Sequence, residues 1–288
     1  MTNLPPQRQP ETPAGGQIPF TGRSWISAPF RAVAILTGFM LLTVPCMPVQ
    51  WALLKLAPNQ ARRFPHWYHR RVCRLLGIRF KVEGEIAQSR RVLLVSNHVS
   101  WLDIPVLSAL SPLSFVAKSE VSKWPFVSWL AKLQRTVFID RTRRADVGTV
   151  SSQMRRRLED GDVLVLFAEG TSTDGNRVLP FKSALLSPAF VQSDAAKSGP
   201  QVDVQTLSLV YTHIHGVPLG RADRSLIGWY GDMEMGGHAW QLLKAGPIDV
   251  HIKIGAPESF ETFANRKELA QITEQRVRDN VATTLRGR

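Results

Sequence analysis

Cysteine is scarce: only Cys46 and Cys73 occur in 288 residues, and Cys46 lies inside an apolar segment. A disulfide framework and a cysteine-based metal site are thereby excluded, and a reducing, cytosolic setting is expected. Acidic side chains are also in short supply, 23 against 36 Lys and Arg, which leaves a formal charge of +13. That excess calls for an acidic partner, either nucleic acid, an anionic membrane or an acidic carrier protein. The chain has no recognised nucleic-acid-binding module and no zinc-finger spacing, so no nucleic acid is expected. No G-x-S-x-G elbow follows any candidate strand, which argues against a serine hydrolase. An internal repeat and a second boundary within the folded part are likewise missing. What is present is 44% hydrophobic residues, enough for a real core.

Residues 1–22 are rich in Pro, Gln, Gly and Thr without apolar periodicity and read as a disordered tail. Residues 23–76 read as a membrane-anchoring helical segment. From Ala32 to Ala57 the only charge is Lys55, and the run is about long enough to cross a bilayer, although Pro45 and Pro48 interrupt it. It lies too far from the start, and lacks the small-residue cleavage site, for an ordinary signal peptide. Three arrangements are open: a kinked span, a helical hairpin dipping into one leaflet, or a buried core hairpin. Arg23 and Arg31 precede the run, and Arg62, Arg63, Arg70, Arg71 and Arg74 follow it among Phe64, Trp67 and Tyr68. Positive charge on both flanks gives no clean orientation and favours the one-leaflet hairpin on an anionic membrane. A solvated amphipathic helix with nothing bound is the plainer alternative for the basic stretch.

Residues 77–288 read as one α/β domain. Candidate strands are Arg79–Val82, Val92–Val95, Ser114–Ala117, Val137–Ile139, Val163–Phe167, Thr206–Tyr211 and Val250–Ile254. Candidate helices are Ala61–Leu76, Trp101–Leu110, Pro125–Leu133, Ala145–Asp160, Phe181–Val191 and Lys267–Leu285. Strands alternating with helices predict a mixed, largely parallel sheet flanked by helices, preceded by the N-terminal membrane-associated helical hairpin. Ser193–Gln205 and Gly216–Gly237 read as loops or insertions.

Three blocks carry chemistry. In RVLLVSNHVSWLD, Arg91 to Asp103, a buried strand ends at Ser96-Asn97-His98, and Ser100 and Asp103 have the spacing of a capping box. Residues five apart on a helix point about 140° away from each other, so His98 and Asp103 meet only if His98 lies in the turn. A carboxylate on one imidazole nitrogen then leaves the other to take a proton from a hydroxyl. In the second block, Arg141 follows the strand VFI and stands near Arg143 and Arg144, a cluster suited to a phosphate or carboxylate. In the third, the run VLVLF ends in Ala168-Glu169-Gly170-Thr171, with Arg177 and then Pro180-Phe181-Lys182 beyond. Backbone amides there, with Arg177 and Lys182, suit an anionic head group. Taken alone, EGT is a turn and Lys182 a surface charge.

Taken in order, NHVSWLD at Asn97–Asp103, VFIDR at Val137–Arg141, FAEGT at Phe167–Thr171 and PFK at Pro180–Lys182 resemble the glycerolipid acyltransferase family, of the bacterial 1-acylglycerol-3-phosphate acyltransferase type. The likeness covers roughly residues 80–215, with LSLVY at Leu207–Tyr211 as a less specific fourth block. The resemblance implies transfer of a fatty acyl group from an acyl carrier protein or coenzyme A thioester to a lysolipid hydroxyl, on the cytoplasmic face of the cytoplasmic membrane, with no cofactor and no metal. It implies His98 as base, Asp103 as its orienter, and Arg141, Glu169, Gly170, Thr171, Arg177 and Lys182 around the acceptor head group; backbone amides at the turn are expected to face the oxyanion. The acceptor expected first is 1-acylglycerol-3-phosphate. The second is lyso-ornithine lipid, because Ser172 stands where phosphate-accepting members commonly carry arginine, and GTSTDGNRVLPFKSAL resembles the branch that acylates it. A noncatalytic membrane-binding protein is the alternative of another class.

Overall fold

The computed structural model describes residues 28–87, 91–139, 146–190 and 202–287. Two antiparallel helices open it, α1 (Ala28–Leu56) and α2 (Pro58–Leu76). The α/β part follows as β1 (Ile78–Glu83), β2 (Arg91–Ser96), α3 (Asp103–Ser108), β3 (Ser114–Lys118), α4 (Val127–Leu133), β4 (Val137–Ile139), α5 (Asp146–Glu159), β5 (Val163–Phe167), α6 (Ser183–Phe190), β6 (Val202–Ile214), β7 (Val217–Pro218), α7 (Met235–Ala245), β8 (Ile248–Ile254), β9 (Glu258–Ser259) and α8 (Arg266–Leu285).

The sheet runs β1-β8-β6-β2-β5-β3-β4. All neighbours on this path are parallel except β6 with β8. The mixed, largely parallel sheet expected from the sequence is therefore observed. Side chains alternate across it, as strand geometry requires. Val92, Leu94, Val165, Leu209 and Tyr211 face one cluster, shared with Cys73 of α2 and with Val106 and Leu107 of α3. Leu93, Val95, Leu164, Leu166 and Val210 face the other, shared with Met154 of α5, Leu186 of α6 and Val277 of α8. Because both faces are covered, β2 and β5 read as unbroken apolar runs rather than alternating ones.

The apolar N-terminal run departs from expectation. Pro45 and Pro48 do not turn the chain; α1 is one continuous helix of 29 residues, about 44 Å long, and the hairpin turns at Ala57 instead. Each proline forfeits one donor but keeps a helical φ, and packing against α2 extends past both of them. Thr43 and Tyr68 share a hydrogen bond of 2.7 Å, and the Gln50 amide donates to the carbonyls of Ala61 and Leu133, each at 2.9 Å. At the other end Arg31 donates to the carbonyls of Leu76 and Leu243, in the last turns of α2 and α7, where carbonyls lack helical partners. Away from these contacts α1 is bare: Phe30 is 75% exposed, Leu41 72% and Leu56 83%. It is the one helix among the described residues long and apolar enough to cross a membrane.

Two expected loops are partly regular. Residues 202–205 belong to β6, where Asp203 and Gln205 are buried. The Gln205 side chain accepts from the Ala87 N–H and donates to the carbonyls of Glu85 and Gly255, so the polar pattern conceals a strand. Met235 opens α7, which two glycines at its start hid from view; Glu234 caps it by accepting from the Gly236 and Gly237 amides. Residues 193–201 lie outside the described residues.

Candidate active site

The carboxyl ends of β2 and β5 lie side by side, with Ser96 in register with Phe167, and in a parallel sheet such ends are where loops can gather functional groups. The turn after β2 is pinned by Asn97. Its side-chain amide donates to the Leu209 carbonyl at 2.9 Å and its oxygen accepts the Leu209 N–H at 2.8 Å, two bonds to β6 that fix where the next residue stands.

That residue is His98. Its ring stacks on Phe167 at 4.0 Å between centroids and 14° between planes. Its Nδ1 lies 2.7 Å from Asp103 Oδ2. The same oxygen accepts the N–H groups of Val99 and Ser100, at 2.7 and 3.1 Å, and Asp103 Oδ1 accepts the Tyr211 hydroxyl at 2.8 Å. Its other three neighbours are donors, so Asp103 is bound as an acceptor, and the tautomer that matches it has the proton on Nδ1 and the lone pair on Nε2. Asp103 is fully buried, while the His98 side chain is 20% exposed and so within reach of a substrate.

Two expectations need correction here. Ser100 is no N-cap: α3 begins at Asp103, and the Ser100 hydroxyl finds no partner among the described residues. Only the carboxylate half of the capping box forms, since Asp103 is drawn to the imidazole as well. Nor do the amides of the turn face an oxyanion. Those of Val99 and Ser100 go to Asp103, and that of His98 goes to Glu169 Oε1 at 2.8 Å.

Glu169 likewise stands apart from its expected place at the head group. It is 1% exposed, and its other oxygen accepts the Leu179 N–H at 2.8 Å. It thus ties the third block to the backbone of His98 from beneath. Burial pushes its carboxyl from 4.5 up to about 7, against the two amides that draw it down. The folded chain therefore holds this proton between pH 4.5 and 7, where the unfolded chain has lost it, and stability falls as pH rises through that window. The contribution is about 3 kcal/mol. Urea unfolding at pH 5 and pH 8 will show this loss in the native chain and a flatter dependence in Glu169→Gln.

The other expected residues divide. Gly170 is buried with φ 74°, a conformation that glycine adopts without strain. Thr171, Arg177 and Lys182 are exposed around the same loop, free to meet a ligand. Arg141 lies outside the described residues. Structure adds residues that spacing did not single out: Asn97, Phe167 and Tyr211, then Thr173, whose N–H donates to the His98 carbonyl at 3.0 Å, and Trp229, whose N–H donates to the Val99 carbonyl at 3.0 Å. Ser172 donates its hydroxyl to the Trp229 carbonyl, and a Cβ on Gly228 would stand 2.9 Å from the Thr173 carbonyl oxygen. The segment around Trp229 therefore closes over the loop that follows EGT. The NHVSWLD, FAEGT and LSLVY blocks mark the positions of Asn97, Phe167 and Tyr211 but not their roles, and Trp229 lies in none of the blocks.

The chain is similar to known proteins. A family model described as Acyltransferase matches residues 78–218. The lyso-ornithine lipid O-acyltransferase of Brucella abortus is 43% identical over 258 residues, 90% of this chain and 96% of that one. The protein of the same description from Rhizobium meliloti is 41% identical over 88% of this chain and 87% of its own. Among solved structures, the 1-acyl-sn-glycerophosphate (LPA) acyltransferase PlsC from Thermotoga maritima superposes with a TM-score of 0.64, at 23% identity over 91% of this chain and 95% of that one.

Proposed function

The chain belongs to the glycerolipid acyltransferase family, and from that premise we propose that it is a lyso-ornithine lipid O-acyltransferase, moving a fatty acyl group from a thioester to the free hydroxyl of the lysolipid. The observation that carries the acceptor is 43% identity along nearly the whole length of a protein so described. The sequence placed 1-acylglycerol-3-phosphate first and lyso-ornithine lipid second; the extent of this match reverses that order. Ser172 supports the reversal, because its hydroxyl is committed to the Trp229 carbonyl and supplies no cation for a phosphate.

In the proposed reaction Nε2 of His98 takes the proton of the acceptor hydroxyl as its oxygen attacks the thioester carbonyl carbon. Asp103 holds the resulting imidazolium through Nδ1. The tetrahedral intermediate expels the thiolate, which recovers the proton from Nε2, so ester and thiol leave together and the histidine is restored. No cofactor enters, and the donor is acyl carrier protein or coenzyme A. Arg141, Thr171, Arg177 and Lys182 serve the acceptor or donor head groups, and Gly170 lets the loop turn close to them. The test is kcat/KM for the two acceptors with one acyl thioester. Lyso-ornithine lipid is expected to exceed 1-acylglycerol-3-phosphate by at least about tenfold, roughly 1.4 kcal/mol of discrimination; the opposite preference would overturn the assignment.

The membrane account follows from α1. The exposed Arg63, Arg70 and Arg74 lie on α2, which packs along α1. A spanning α1 would carry these charges into hydrocarbon, at about 2.5–3.5 kcal/mol each near the centre. We therefore place α1 flat in one leaflet of the cytoplasmic membrane, its bare face in the acyl chains and the α/β domain in the cytoplasm. Leu41, Val44 and Trp51 are all more than half exposed. Replacing the three by serine should weaken co-sedimentation with anionic liposomes by at least about tenfold without moving the unfolding midpoint.

A further inference from the structure

We infer that Tyr211 is a positioning residue for the acyl transfer, acting through Asp103 to fix the direction and charge of the carboxylate that His98 leans on. The inference rests on the proposed base chemistry. Tyr211 sits on β6, 108 positions from its partner, and its hydroxyl reaches Asp103 Oδ1 at 2.8 Å, the one side-chain donor on that oxygen among the described residues. Oδ2 already serves the imidazole and two amides. Without Tyr211, then, all support for the carboxylate would come from one side, and rotation about its bond to Cβ would lose a stop.

The surroundings suit this task better than a purely structural one. Tyr211 is buried in the cluster that α2 and α3 press onto the sheet, so packing fixes the ring. Burial, with Asp103 beside it, pushes the phenol well above its ordinary value. The hydroxyl consequently remains a donor at any working pH, and the pair does not exchange roles. β6 also bears Leu209, the residue that Asn97 grips. One strand thus holds the backbone of the catalytic turn at Leu209 and the carboxylate at Tyr211, two residues apart on the same face. Phenylalanine would fill the same core space, yet leave a buried carboxylate oxygen without its donor.

The experiment is Tyr211→Phe in the full chain, alone and combined with Asp103→Asn, assayed with acyl thioester and lysolipid in anionic vesicles. The single variant is expected to lower kcat about 5- to 30-fold with KM within about twofold, because the lost contact does not touch substrate. In the Asp103→Asn background the same change is expected to add less than about twofold, since its route of action is gone. Equal factors in both backgrounds, or a single variant with unchanged kcat, would overturn the inference. The proton resonance of His98 Nδ1–H supplies a reading independent of turnover. It should move in Tyr211→Phe and vanish in Asp103→Asn; an unmoved resonance would count against the role. Failure of the base mechanism itself would appear separately, as full activity in His98→Ala.

Discussion

Replacing His98 by alanine lowers acyl transfer about 10³- to 10⁴-fold, because general-base assistance to a hydroxyl has no second source in this turn. Glu169 is also hydrogen-bonded to this turn, but both of its oxygens are occupied by backbone amides. The fold should survive. His98 is held in place by its own backbone through Glu169 and Thr173, and loss of the ring removes only its stack on Phe167 and one of four donors to Asp103. The check is labelled product per folded protein, with liposome binding measured alongside. Intact binding with lost transfer separates an enzyme from a protein that merely coats membranes; unchanged transfer would remove His98 from the mechanism.

Asp103→Asn gives the second large effect. The substituted amide presents one oxygen and one donor where the carboxylate presented two acceptors, so either the imidazole trio or Tyr211 meets a donor. The imidazolium loses its counter-charge, and kcat is expected to fall about 10²- to 10⁴-fold. Alanine is the less informative change. It strips the acceptor from four donors, two of them amides of a buried turn, and each orphaned group costs about 1–3 kcal/mol. That variant would report on folding as much as on catalysis. Rate assays on Asp103→Asn, matched to circular dichroism and an unfolding curve, keep the two apart; native-like activity would show that the carboxylate is a cap and nothing more.

Much of the site was legible because it sits where strands stop. The residues of β4 and β5 match their predicted bounds, and β5 is legible since all five of its residues are buried. His98 and Asp103 were visible as a pair separated by a turn. Distance in sequence hid Tyr211, which alternation alone assigns to the core. Orientation hid the role of Glu169: a carboxylate after a strand can face ligand or backbone, and spacing carries no sign for which. The prolines of α1 were misread for another reason. Their local cost argues for a break, but the contacts of Gln50 beyond both of them hold the helix in one piece.

The proposed reaction is a direct transfer, in which a thioester and a lysolipid meet at Nε2 of His98 and the protein itself is not acylated. The most direct measurement mixes purified protein in anionic vesicles with an acyl carrier protein thioester labelled in the acyl group and with lyso-ornithine lipid. Product, free carrier thiol and protein-bound label are then followed through the first turnover. The account predicts one esterified lipid for each thiol released, with no label on the protein at any time. Label accumulating on the chain before product, or thiol release without an esterified lipid, would contradict it.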